Sequence, residues 1–206
     1  MECNSLLTAE EINEALERAV LYQMLSIAFY PPKPEAQEFW SKVLSKFADG
    51  EKSGSIPVDY IDLSVEYNRL FVGPGKLPCP PYESVYRTDR DAGEIGTLMG
   101  PSVWDVKNRY AEAGLEISKD FRDYPDHVAV ELEFMHFLCS REATAALSED
   151  KENWRRREKE FLEIHIKSWV GVFSDKVLKS TDSQFYKTAA SFLKEHIDDE
   201  LAYFAE

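Results

Sequence analysis

An all-α protein is what three properties of the chain predict. Apolar residues recur at helical spacing through most of its 206 residues, and no stretch alternates with the period of two that a half-buried strand requires. The helical runs are also bounded by capping and breaking residues. Together these give a single helical-bundle-like domain over residues 1–206 with about seven to eight helices. One long Pro/Gly-rich loop at 72–101 interrupts it in mid-chain and is a candidate hinge.

Thr8-Ala-Glu-Glu11 reads as a capping box opening a helix to about Tyr30. Its second half, Val20 to Phe29, is apolar on nearly every side, which predicts a helix surrounded by others. Pro31-Pro32 ends it. A second helix is expected over about 35–48, with Ala36, Phe39, Trp40, Val43, Leu44 and Phe47 at helical spacing, followed by a polar break from Gly50 to Pro57. A third, over about 58–71, turns Ile61, Val65, Leu70 and Phe71 inward and stops at Gly73-Pro74-Gly75.

Past the loop, Ser102-Val-Trp-Asp105 resembles a capping box, and Gly114 is a good terminating glycine. Tyr124-Pro125-Asp126 opens the next helix, with Asp126 in its first turn at the positive end of the dipole. A long helix over about 151–178 carries Trp154, Phe161, His165, Trp169 and Val172 on one stripe, and a last one covers about 183–204.

The net charge of −14, from 24 basic and 38 acidic residues, excludes nucleic acid as a partner, because phosphate binding needs a basic face. An acidic surface instead attracts basic ligands. The three cysteines, Cys3, Cys79 and Cys139, match no zinc spacing and suggest no disulfide framework, which fits a reducing cytoplasm. The N-terminus has neither the basic nor the apolar region of a secretory signal, and no apolar run is long enough to insert into a membrane.

Candidate chemistry is sparse. Glu133-Phe-Met-His136 has the Glu-x-x-His spacing of di-iron bundles, but such a site needs a second copy and two further glutamates. A metal-binding, di-iron-like helical enzyme therefore stays only as an alternative of another class. His127 and Glu131 share a helix face without a recognisable nucleophile. His165 and Trp169 are read as tying helices together. No cofactor, metal or catalytic group is assigned, and no enzymatic activity is expected.

Two strings carry more information. Leu70-Phe71-Val72-Gly73-Pro74, followed by Pro80-Pro81-Tyr82-Glu83-Ser84-Val85-Tyr86, resembles the signature of the TorD/DmsD family of molybdoenzyme assembly chaperones. Pro125-Asp126-His127-Val-Ala-Val-Glu131-Leu132 is similar to that family's second motif, and His165 with Trp169 to its His-x-x-x-Trp. The resemblance implies an all-helical cytoplasmic protein, a monomer or domain-swapped homodimer. It would bind the twin-arginine signal peptide and precursor of a molybdopterin oxidoreductase before export. It also implies signal-peptide-binding positions at Tyr67, Leu70, Phe71, Pro81, Tyr82, Tyr86, Asp126 and His127, to which Glu131 is added as a carboxylate on the same helix face.

Leu70, Phe71, Pro81, Tyr82 and Tyr86 would supply an apolar groove, and Glu66, Glu83, Asp126 and Glu131 would be carboxylate partners for guanidinium. On that reading Tyr86→Ala and Asp126→Ala each weaken binding with little change in melting temperature. The alternative within the same fold is a nitrate-reductase-type assembly chaperone acting on a subunit that is not exported.

Overall fold

The structure, a computed structural model, describes residues 8–41, 58–87, 98–118 and 123–205. The expected positions of Val43, Leu44 and Phe47, the break at Gly50 to Pro57, and residues 88–97 of the mid-chain loop lie outside these.

Helix α1 (Ala9–Phe29) has both arms of the capping box: Thr8 Oγ1 accepts from the Glu11 amide at 3.2 Å, and Glu11 accepts from the Thr8 amide at 2.8 Å. A short 3₁₀ turn (Pro34–Ala36) leads into helical residues 37–41. Helix α2 (Tyr60–Tyr67) runs into a π-helical segment, Asn68–Val72. Next come the short α3 (Glu83–Tyr86), α4 (Pro101–Glu112) and α5 (Val128–Ala143). Helices α6 (Ser148–Phe161) and α7 (Lys167–Ser180) form one rod joined by a second π segment, Leu162–Ile166, and α8 (Gln184–Tyr203) closes the chain. No strand occurs among the described residues, only an isolated antiparallel bridge between Tyr82 and His127.

Helix α1 packs along α5, α5 against α6, and α7 against α8. Their shared interior is one cluster of buried side chains. Rings from three elements meet in it: Phe29 lies 5.4 Å from Phe173 and 6.2 Å from Phe71, and Trp169 lies 5.5 Å from Phe173. A polar clamp crosses it. Arg18 of α1 donates to Glu142 of α5 at 3.0 Å, to Glu158 of α6 at 2.7 Å and to Glu200 of α8 at 2.8 Å, all four residues being buried. Its guanidinium also lies 4.6 Å from the centre of the Tyr203 ring.

Four expectations need correction. Helix α1 is not enclosed on every side, since Leu16, Val20 and Ile27 face outward. In α2, Leu63 and Tyr67 point inward while Ile61 and Val65 are exposed: one face of a helix can meet the core, and the Leu63-Tyr67-Leu70-Phe71 stripe buries more apolar area. Helix α4 starts from Gly100 with Pro101 in its first turn, not from a Ser102–Asp105 box, which frees Asp105 to face His165. In the long rod, the wider π turn advances the register by one residue, so Phe173 rather than Val172 continues the buried stripe of Phe161, His165 and Trp169.

One of these junctions leaves little room for a side chain. The Gly73 amide closes the first π segment on the Asn68 carbonyl at 2.6 Å, and a Cβ at Gly73 would meet that oxygen at 3.0 Å. Gly114, at φ +81°, terminates α4 as expected.

Candidate functional site

The two motifs, forty residues apart in the chain, fold as one unit. Proline-rich residues 78–81 cannot build a helix, so the strand-like Pro81-Tyr82 needs external partners for its backbone. It finds them in residues 126–128. The Val128 amide donates to the Pro81 carbonyl at 2.8 Å, and the Glu83 amide to the Asp126 carbonyl at 3.0 Å. Short α3 has no cap of its own from Tyr82, and Asp126 supplies one across the chain: its Oδ2 accepts from the Ser84 amide at 2.9 Å. Asp126 therefore precedes α5 rather than sitting in its first turn. His127 is the true N-cap of α5, its Nδ1 accepting from the Ala129 amide at 3.1 Å. Burial pushes that imidazole down to about 4, Asp123 offsetting only part of the effect, so it is neutral with Nε2 protonated.

Beneath this unit lies a buried carboxyl cluster. Glu83 meets His165 Nδ1 at 3.0 Å and Arg87 at 2.8 Å, while His165 Nε2 lies 3.0 Å from Asp105. Glu131 accepts from Trp169 Nε1 at 3.1 Å. Burial, with Glu83 and Asp126 adding negative charge nearby, pushes the Glu131 carboxyl well above the usual range, and burial likewise raises Asp126. Glu131 therefore gives up its proton less readily than a carboxyl in water. His165 and Trp169 do tie helices together, as expected: one joins the second π segment to α3 and α4, the other α7 to α5.

Tyr82 and Tyr86 are the half-exposed members of the nine candidate positions. Tyr67, Leu70, Phe71, Pro81, Asp126, His127 and Glu131 are buried. Tyr82 crosses the His127 ring edge-on at 5.4 Å and donates to the exposed Asp123 at 2.8 Å. Tyr86 stacks on Trp169 at 5.4 Å, and the Lys176 ammonium lies over its ring at 4.5 Å. Phe71 and Tyr86 both flank Phe173, at 6.1 and 6.2 Å. Phe71 therefore backs Tyr86 through Phe173, and Leu70, fully buried, lines no open groove. The four carboxylates expected to meet guanidinium all have internal partners, Glu66 being engaged by Arg69 and Thr181. The acidic edge of the site is Asp123 instead.

Two participants escaped the sequence. Tyr30 stacks parallel to His127 at 6.3 Å, signalled only by an aromatic residue just before Pro31-Pro32. Arg18 and its three glutamates are 124 to 182 residues apart, so no local pattern could reveal them. The Glu-x-x-His residues serve packing: Glu133 accepts from Tyr30 at 2.6 Å, and His136 Nδ1 lies 2.8 Å from the Ala19 carbonyl. No group of three or more metal-ligating side chains is assembled among the described residues.

The all-helical fold carries a half-exposed aromatic surface, edged by Asp123 and built on paired Pro-Tyr and Asp-His motifs. A family model described as "Nitrate reductase delta subunit" matches residues 35–175, about two thirds of the chain. The chain belongs to that family, whose members include TorD-like proteins. It is 34% identical over 125 residues to a selenate reductase assembly chaperone protein of Thauera selenatis, covering 60% of this chain and 61% of that one. With a chaperone protein TorD of Shewanella pealeana it shares 25% identity over 194 residues, 84% of this chain and 83% of the relative. The chain spans about 60% of the length of the first curated relatives it matches. A solved structure described as a redox enzyme maturation protein of Archaeoglobus fulgidus superposes with TM-score 0.60 at 23% identity over 88% of this chain and 93% of that one, which shows the shared fold.

Proposed function

We propose that this protein is a cytoplasmic, non-catalytic chaperone that holds the twin-arginine signal peptide of a molybdopterin-containing oxidoreductase while its cofactor is inserted. The observation that carries the reading is the half-exposed pair Tyr82 and Tyr86, mounted on a rigid unit of two hydrogen-bonded motifs with Asp123 at its edge. Aromatic faces cover apolar side chains at low entropic cost, and a guanidinium finds both a ring face and a carboxylate there. Relatives named as assembly chaperones for selenate, chlorate and perchlorate reductases support the same role.

The remaining seven candidate positions act from behind, fixing the unit's shape. Fluorescence anisotropy with a labelled peptide carrying Ser-Arg-Arg and an apolar run tests the reading. Tyr86→Ala is expected to weaken binding about ten-fold, or ~1.4 kcal/mol, when measured well below its melting temperature, which falls because the ring also packs on Trp169 and Phe173. Equal affinity for wild type and Tyr86→Ala contradicts it. The family description favours one second reading, a chaperone for a reductase subunit without an exported signal. In that case a full-length subunit binds and the isolated peptide does not.

A further inference from the structure

Beside the aromatic unit, on the other side of Tyr30, a cavity of about 640 Å³ opens between the turn at 115–118 and the outer face of α5. We infer that this cavity takes the apolar segment of a peptide whose basic residues lie at its acidic rim, so that recognition is divided between it and the Tyr82–Tyr86 surface. The inference rests on the peptide-holding reading above and assigns that peptide's apolar part to residues outside the nine candidate positions.

Three observations carry it. First, the floor is apolar: Val130, Phe134 and Phe137 from α5, with Leu115 and Ile117 facing them. Its size lies within the range of about 300–1,000 Å³ for ligand clefts, and a helix lying in such a groove is an established recognition mode. Second, the charged groups that line it among the described residues have one sign: Glu116 and Glu133 are exposed there, and no described lysine or arginine lines it. This separates it from a cavity of about 880 Å³ between α2 and the α7–α8 turn, where Arg69 and Lys179 stand among carboxylates. An apolar segment with a cationic flank fits the former, and an anionic ligand does not. Third, Tyr30 adjoins the unit that carries Tyr82. Its ring lines the cavity, stacks on the His127 that Tyr82 crosses edge-on, and donates its hydroxyl to Glu133, so the cavity abuts the joined motifs.

The test is titration of the full chain with the Arg-Arg peptide, using Ser140→Trp to fill the cavity and Val130→Asp to charge its floor, each with a melting temperature. Both variants are expected to lose about ten-fold in affinity, or ~1.4 kcal/mol, while staying folded. In wild type, a photoreactive residue placed in the peptide's apolar run should cross-link within 115–118 or 130–140, which needs no variant. Unchanged affinity in folded variants, or cross-links mapping to the larger cavity, overturns the inference while leaving the function intact. A wild type that binds no such peptide overturns the function itself. If Ser140→Trp alters sedimentation of the protein without altering peptide affinity, the cavity is covered by a second copy and the inference is wrong.

Discussion

Glu158 shows what a single carboxyl can cost. It is one of three carboxyls around one guanidinium, all withdrawn from water, and full ionisation would leave excess negative charge in the core. Burial, opposed by Arg18 and reinforced by Glu142, pushes it up to about 8. A carboxyl raised above its unfolded value binds its proton more tightly in the native state. The stability it contributes is complete below about 4.5 and is lost as pH climbs to about 8. Thermal melts of Glu158→Gln between pH 5 and pH 9 should therefore show a flatter profile than wild type, with the variant gaining most above pH 8; parallel profiles would contradict the assignment. Asp126 is a second such residue. Removing its carboxylate leaves the Ser84 amide without a cap in a buried site, so Asp126→Ala should cost about 1–3 kcal/mol of stability. Asp126→Asn, which keeps an acceptor, should cost clearly less. Comparing the two melting temperatures separates this role from direct contact with a peptide, which was the expectation from the motif alone.

Among the elements, the sequence was most informative where a helix end has its own local chemistry. Thr8 with Glu11, and Gly114, mark their termini because the cap and the residues it serves are three or four positions apart. The π segments were not visible, because one added residue changes no composition and still rotates everything beyond it. That is why Val172 was expected inside and Phe173 is there. The nine candidate positions were identifiable as strings, yet which of them reach solvent depends on how residues 81–84 pair with 126–128, a contact without local signature. The pairing makes α3 a strap held by Glu83. Glu83→Ala removes its links to His165 and Arg87, and hydrogen exchange at the amides of residues 83–87 should quicken while those of α5 keep their rates. Uniform loss of protection would mean that Glu83 supports the whole core instead.

For the molecule as a whole, Arg18 ties α1, α5, α6 and α8 at one point. Arg18→Met takes their shared guanidinium from three buried carboxyls, of which Glu142 keeps Arg155 and Glu200 keeps Tyr22; it should destabilise by about 3–5 kcal/mol, measured by urea unfolding, and a loss below 1 kcal/mol would show that the clamp is dispensable. The net charge of −14 acts at longer range. It should speed the encounter with a basic peptide at low salt, an effect that fades once the Debye length falls below about 10 Å, near 0.1 M salt. At the scale of the whole molecule, the signal peptide must lie on the joined motifs and not elsewhere. Hydrogen–deuterium exchange on the intact protein, with and without a saturating Arg-Arg signal peptide, locates it. Protection is expected at residues 82–87 and 123–130, extending along the outer face of α5. Protection confined to α2 and the turn between α7 and α8, with residues 82–87 unchanged, would contradict it.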